Sequence, residues 1–219
     1  MGQTINILYY TAMTLLALIA IVGVARWSRM NSAMRFFCAM LFAALLGEIV
    51  ALYAARKHGN NLGVYNISDV AQFALLCLYF NETIAVFKRY RIGLWLAVLS
   101  VAFGFISIVS LPSFGETNQA FMLFVGIAAM SFSFALIIQI FRERLAVKMT
   151  DRSEFWFSVA LIVFWGSNLL IVPLLDSATQ AGAPYVQAFS IWLLLTAVLS
   201  YLIVLTFLAL KPSQQTVKK

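Results

Sequence analysis

Ionisable and amide side chains inside long apolar runs are where this sequence could do chemistry, because hydrocarbon supplies no partner for them. Glu48 is the clearest case. It stands within the run 34–56, about 12 Å along a helix from Arg56 at 1.5 Å rise per residue. No basic residue lies one helical turn away. Either another helix supplies its partner or it carries a proton. The run 66–88 presents Asn66, Asp69, Gln72, Tyr79 and Thr83 at steps of three, three, seven and four. Those steps fall on or near one face of a helix. Glu82 borders that stripe, with Lys88 and Arg89 close enough in sequence to reach it.

Other runs repeat the pattern. Asn6, Tyr10 and Thr14 share a side of the first, Trp165 and Asn168 lie one turn apart in the sixth, and Gln187, Ser190 and Tyr201 mark the last. If these stripes face inward, Tyr10, Glu48, Asp69, Gln72, Asn168, Gln187 and Ser190 line a small polar pocket that suits a small ligand or a lipid. The plainer explanation is helix-to-helix glue, at about 1 kcal/mol per hydrogen bond. A proton pathway fits less well, because Glu48 and Glu82 are too far apart to exchange a proton directly. Between the second and third runs, Arg56 suits a salt bridge to Asp69 across the turn.

Catalytic patterns are absent from the sequence. A metal site or a serine–histidine pair needs histidine, and His58 is the only one. No H-E-x-x-H, G-x-S-x-G, P-loop or G-x-G-x-x-G pattern occurs. Cys38 and Cys77 both fall in apolar runs and read as small core residues, not as a disulfide or a metal pair. The expectation is a protein that is not an enzyme and carries no metal and no cofactor.

The elements that must position these residues follow from composition. Of 219 residues, 63% are hydrophobic and 11% charged, where a soluble domain carries about 25% charged residues. Mean hydropathy is +0.94. The solvent for most side chains is therefore lipid. A bilayer core about 30 Å thick needs about 20 apolar residues, and seven runs qualify: 5–26, 34–56, 66–88, 92–111, 118–141, 155–175 and 185–210. The expectation is an all-α, polytopic seven-transmembrane-helix bundle forming one domain over residues 1–211. A short polar tail, 212–219, follows. In the second run Ala39, Ala43, Gly47, Ala51 and Ala55 recur every four residues. Such a stripe lets a helix of the same chain approach closely, and it also suits a homodimer contact.

The net charge of +7 does not indicate nucleic acid, because the cations sit in short clusters between apolar runs. Thirteen of the fifteen Lys and Arg residues lie in the first, third and fifth connections and the tail. Only Arg56 and Lys57 lie on the other side. By the positive-inside rule the N-terminus is outside and the C-terminus cytoplasmic, in an inner or plasma membrane. Residues 1–6 carry no positive side chain, while Arg26 and Arg29 follow the first run, as in a first helix inserted N-terminus outward. This topology resembles that of microbial rhodopsins and seven-helix receptors, which implies a sensory role. The last run holds no lysine before Lys211, so the Schiff-base residue of a retinal protein is missing. No residue motif carries a family assignment. The expected function is a receptor-like or sensory subunit, with a small permease subunit or a ligand-free assembly protein as alternatives. Its partners would be the bilayer, a cytoplasmic or membrane protein, and a small ligand or lipid.

Orientation is directly testable. A cysteine replacing Gln3 is expected to react with a membrane-impermeant maleimide in intact cells, and one replacing Ser213 only after lysis. The reverse pattern would overturn the charge-based assignment.

Overall fold

The computed structural model describes residues 2–110, 118–143, 148–171, 174 and 182–210. Eight α-helices are present among them: α1 Gly2–Arg26, α2 Ser32–His58, α3 Leu62–Thr83, α4 Ala85–Tyr90, α5 Ile92–Val109, α6 Gln119–Arg142, α7 Ser153–Ile171 and α8 Ala183–Leu210. There is no strand among the described residues. All but α4 are long and apolar enough to cross a membrane. The shortest of these, α5, has 18 residues, about 27 Å of helix. The chain is thus an all-α protein with seven candidate membrane-spanning helices. Leu111 of the fourth expected span, residues 172, 173 and 175 of the sixth (with the kink expected at Pro173), and the tail 212–219 lie outside the described residues.

Local chemistry sets the helix ends. The Asn31 side chain accepts from the Met34 N–H at 2.8 Å and caps α2. Gly59, at φ 72, closes that helix by donating its N–H to the Ala55 carbonyl. Only a residue without Cβ takes this left-handed position without strain.

The third span differs from its expected bounds of 66–88. It begins at Leu62 and stops at Thr83, with Ile84 extended (φ −90, ψ 118) and α4 following. Thr83 Oγ1 donates to the Tyr79 carbonyl at 3.0 Å, a local bond that competes with continued helix. In an unbroken helix Glu82 and Lys88 would stand about 120° apart around the axis and about 9 Å along it. The break brings Lys88 Nζ to 2.9 Å from Glu82 Oε2. Ser32 Oγ, at the start of α2, donates to the same oxygen at 3.0 Å.

The helices fall into two compact units. In Gly23–Val125, α3 packs between α2 and α5. Small residues permit both contacts. A Cβ on Gly47 would collide with the Ser68 side chain, and Ala51 is fully buried. On α5 the buried set is Gly93, Ala97, Ser100, Gly104 and Ile108, a stripe as regular as that of α2. A Cβ on Gly93 would strike the Cys77 carbonyl and Asn81, and one on Gly104 would strike Val70. Phe73, Phe103, Phe121 and Phe124 fill the space alongside, with edge-on pairs such as Phe103–Phe124 at 5.3 Å.

In the second unit, Met1–Val22 with Gly126–Gln214, α7 packs on α8. Ser200 Oγ of α8 donates to the Ala160 carbonyl of α7 at 3.1 Å. Trp156 stacks on Phe207 at 4.7 Å. Gly126 meets Leu169, bringing α6 onto α7. Arg152 and Gln139 both donate to the Glu143 carboxylate. Burial alone would raise that acid, but the bonds from Arg152 and Gln139 outweigh it and hold the carboxyl below its usual range.

Replacing Gly93 with Leu must force α5 off the Cys77 carbonyl. The expected cost is about 1–3 kcal/mol, read as a lower melting temperature in detergent. Leu94→Ala, at the adjacent exposed position, should change it little. Equal melting of the two variants would refute the close approach.

Candidate functional site

In the Gly23–Val125 unit, one group of polar side chains lies where Glu48 of α2 faces α3. The Tyr65 hydroxyl of α3 donates to Glu48 Oε2 of α2 at 3.0 Å. Beside them Ser68 sits against Gly47, and Gln72 Nε2 donates to Ser68 Oγ at 2.9 Å. Asp69 lies within electrostatic reach of Glu48. The sequence arranges this locally. Gly47 has no side chain, so Ser68 approaches the α2 backbone, and that register sets Tyr65 opposite Glu48. Glu48, Tyr65, Asp69 and Gln72 are each half-buried.

The salt bridge expected between Arg56 and Asp69 does not form. No ion pair among the described residues joins them, and the charged neighbour of Asp69 is Glu48. Register is the reason. With Gly47 against Ser68, Asp69 lies about 14 Å along α2 from the level of Arg56.

Three expected pocket residues, Glu48, Asp69 and Gln72, are therefore brought together. The other four belong to the other unit. Tyr10 is 63% exposed on α1, opposite the buried face formed by Ala12, Leu16 and Ile19. Asn6 and Thr14 are exposed with it. Asn168 Nδ2 donates to the Phe164 carbonyl at 2.8 Å, and Ser190 Oγ to the Val186 carbonyl at 2.8 Å. Gln187 is half-buried. Asn168 and Ser190 thus bond to their own helices, which is the economical arrangement in lipid.

Two participants were not singled out from the sequence. Tyr65 stands four residues before Asp69 and seven before Gln72, so helical spacing alone places it on their face. Asn118 caps α6: its Oδ1 accepts from the Phe121 N–H at 3.2 Å and from Ser107 Oγ at 2.7 Å. The Asn118 N–H in turn donates to Asn66 Oδ1 at 3.2 Å. An asparagine just ahead of an apolar run is the signal that would have found it. Asn66 and Asn118 are both buried, and they tie α3, α5 and α6 without leaving an open surface.

Among the described residues no three His, Cys, Asp or Glu side chains group as metal ligands. No protein-family model matches the chain, and neither a curated protein nor a solved structure matches it.

The Tyr65–Glu48 bond crosses helices, whereas Gln72–Ser68 stays within one. Tyr65→Phe should therefore cost about 1 kcal/mol of bundle stability, measured by denaturant titration in mixed micelles. Gln72→Ala should cost clearly less, and equal losses would contradict the crossing bond.

Proposed function

We propose that this chain is a receptor-like, sensory membrane protein of the inner or plasma membrane. Its N-terminus is outside, and its ligand site is the Glu48–Asp69 pair at the α2–α3 crossing. The Lys and Arg bias supports this orientation, which places Glu48 and Asp69 in the outer half of the membrane. The basic connections on the other side would pass the state of the site to a separate protein.

The observation that carries this reading is the pair itself. Two carboxyl groups from neighbouring helices lie within electrostatic range of one another, inside segments apolar enough to span a membrane. Ionisable groups at such positions are costly and mark functional sites more often than surface acids do. Carboxylates accept hydrogen bonds and cannot donate them. Tyr65, Ser68 and Gln72 add hydroxyl and amide groups beside them. The matching ligand is small and carries an ammonium group or several N–H and O–H donors.

The first experiment is native mass spectrometry of the protein extracted gently from its own membrane. Wild type should carry a stoichiometric small molecule. Glu48→Gln should bind it about tenfold or more weakly, the loss of a charged hydrogen-bonding group, with unchanged circular dichroism. Glu48-dependent solute flux in proteoliposomes would replace sensing by transport. Unaltered ligand occupancy in Glu48→Gln, Asp69→Asn and Gln72→Ala alike would remove the site altogether.

A further inference from the structure

The most strongly charged patch of the Gly23–Val125 unit lies far from the Glu48 cluster, about 24 Å along α2 at the level of Ser32. Two chain connections meet there. Ser32 of α2 donates to Glu82 of α3 at 3.0 Å, and Lys88 of α4 pairs with the same oxygen at 2.9 Å. This junction holds Arg29 of the α1–α2 connection, with Arg26 and Arg35 at the flanking helix ends, beside α4 and the turn after it, which bear Lys88, Arg89 and Arg91. Six cations share that end of the unit with a single acid, Glu82.

Apolar and aromatic groups stand among these cations. Val86, Tyr90 and Trp95 are all more than half exposed, Trp95 at 65%. The Arg89 guanidinium lies over the Tyr90 ring at 5.4 Å. Arg91 occupies a left-handed backbone position (φ 54) between α4 and α5, where glycine would fit without strain. Charge beside exposed aromatic and aliphatic surface is the combination found where headgroups meet acyl chains. An acidic peptide would satisfy the cations and leave Val86 and Trp95 uncovered.

We propose that α4 and the connection between α1 and α2 form a docking site for anionic phospholipid headgroups. Arg89 and Arg91 supply the charge on one side, while Tyr90 and Trp95 lie against the upper acyl chain. The site is separate from the Glu48 cluster, so either can fail without the other.

The test uses the whole protein in detergent, titrated with phosphatidylglycerol or phosphatidylcholine and read by native mass spectrometry. Wild type should retain phosphatidylglycerol in preference. Arg89→Gln with Arg91→Gln should weaken that retention about fivefold per cation removed. Arg56→Gln with Lys57→Gln, at the opposite end of α2, should leave it unchanged. Melting temperature confirms that the variants fold. Raised ionic strength should weaken phosphatidylglycerol binding to wild type and leave phosphatidylcholine binding unaltered. Equal retention of the two lipids by wild type, or undiminished preference in the folded double variant, would overturn the proposal. So would a polyglutamate peptide that binds the patch while lipid preference is absent, since that assigns it to a protein partner.

Discussion

Because hydrocarbon offers no hydrogen-bond partner, a polar group in a membrane-spanning helix depends on the protein for one, and the side chains that find one do so in two ways. Some turn back on their own helix. Thr11, Thr14, Ser131, Ser167, Ser190 and Thr206 each donate to the carbonyl four residues earlier. Others cross to a neighbour: Tyr65 to Glu48, Ser107 to Asn118, Ser200 to Ala160 and Ser32 to Glu82. The first kind acts within one helix and sets no contact between helices. The second kind fixes which turn of one helix faces which turn of the next.

Crossing bonds require proximity, and in lipid that proximity has little hydrophobic drive behind it. Dispersion between close backbones takes its place, which is why glycine and alanine mark the contacts around α3. Gly47 admits Ser68 on one side; Gly93 and Gly104 admit Cys77, Asn81 and Val70 on the other. The small-residue stripes and the polar cluster are thus one device. Without a Cβ-free surface at position 47, Tyr65 would not stand within bonding distance of Glu48.

The spans and the charge bias were legible in the sequence because they depend on run length and composition. The break after Thr83 was not, since the apolar run continues past it and Thr83 makes the same hydroxyl bond to the fourth carbonyl back that is found in unbroken helices. Asp69 was matched with Arg56 because both flank the same turn, yet their separation depends on an inter-helix register that no single helix encodes. Tyr10 shows a related limit. Periodicity finds the stripe of Asn6, Tyr10 and Thr14, but only packing determines that Leu16 and Ile19 turn inward and that this stripe does not. Tyr65 and the α5 stripe of Gly93, Ala97, Ser100 and Gly104 were within reach of the spacing rules that found their neighbours.

The contrast between Glu82 and Glu48 bears most directly on function. Glu82 lies at a helix end, where a broken backbone lets Lys88 fold back and neutralise it. Glu48 lies mid-helix and meets a phenol and a second acid. A glutamine at position 48 would accept the Tyr65 hydroxyl as well as a glutamate does. An asparagine at 69 would likewise spare the chain a second ionisable group in lipid. The Tyr65–Glu48 bond by itself therefore does not require an acid at position 48. What carboxyl groups add is the capacity to hold positive charge or to exchange a proton, and that is the capacity the proposed ligand site calls on.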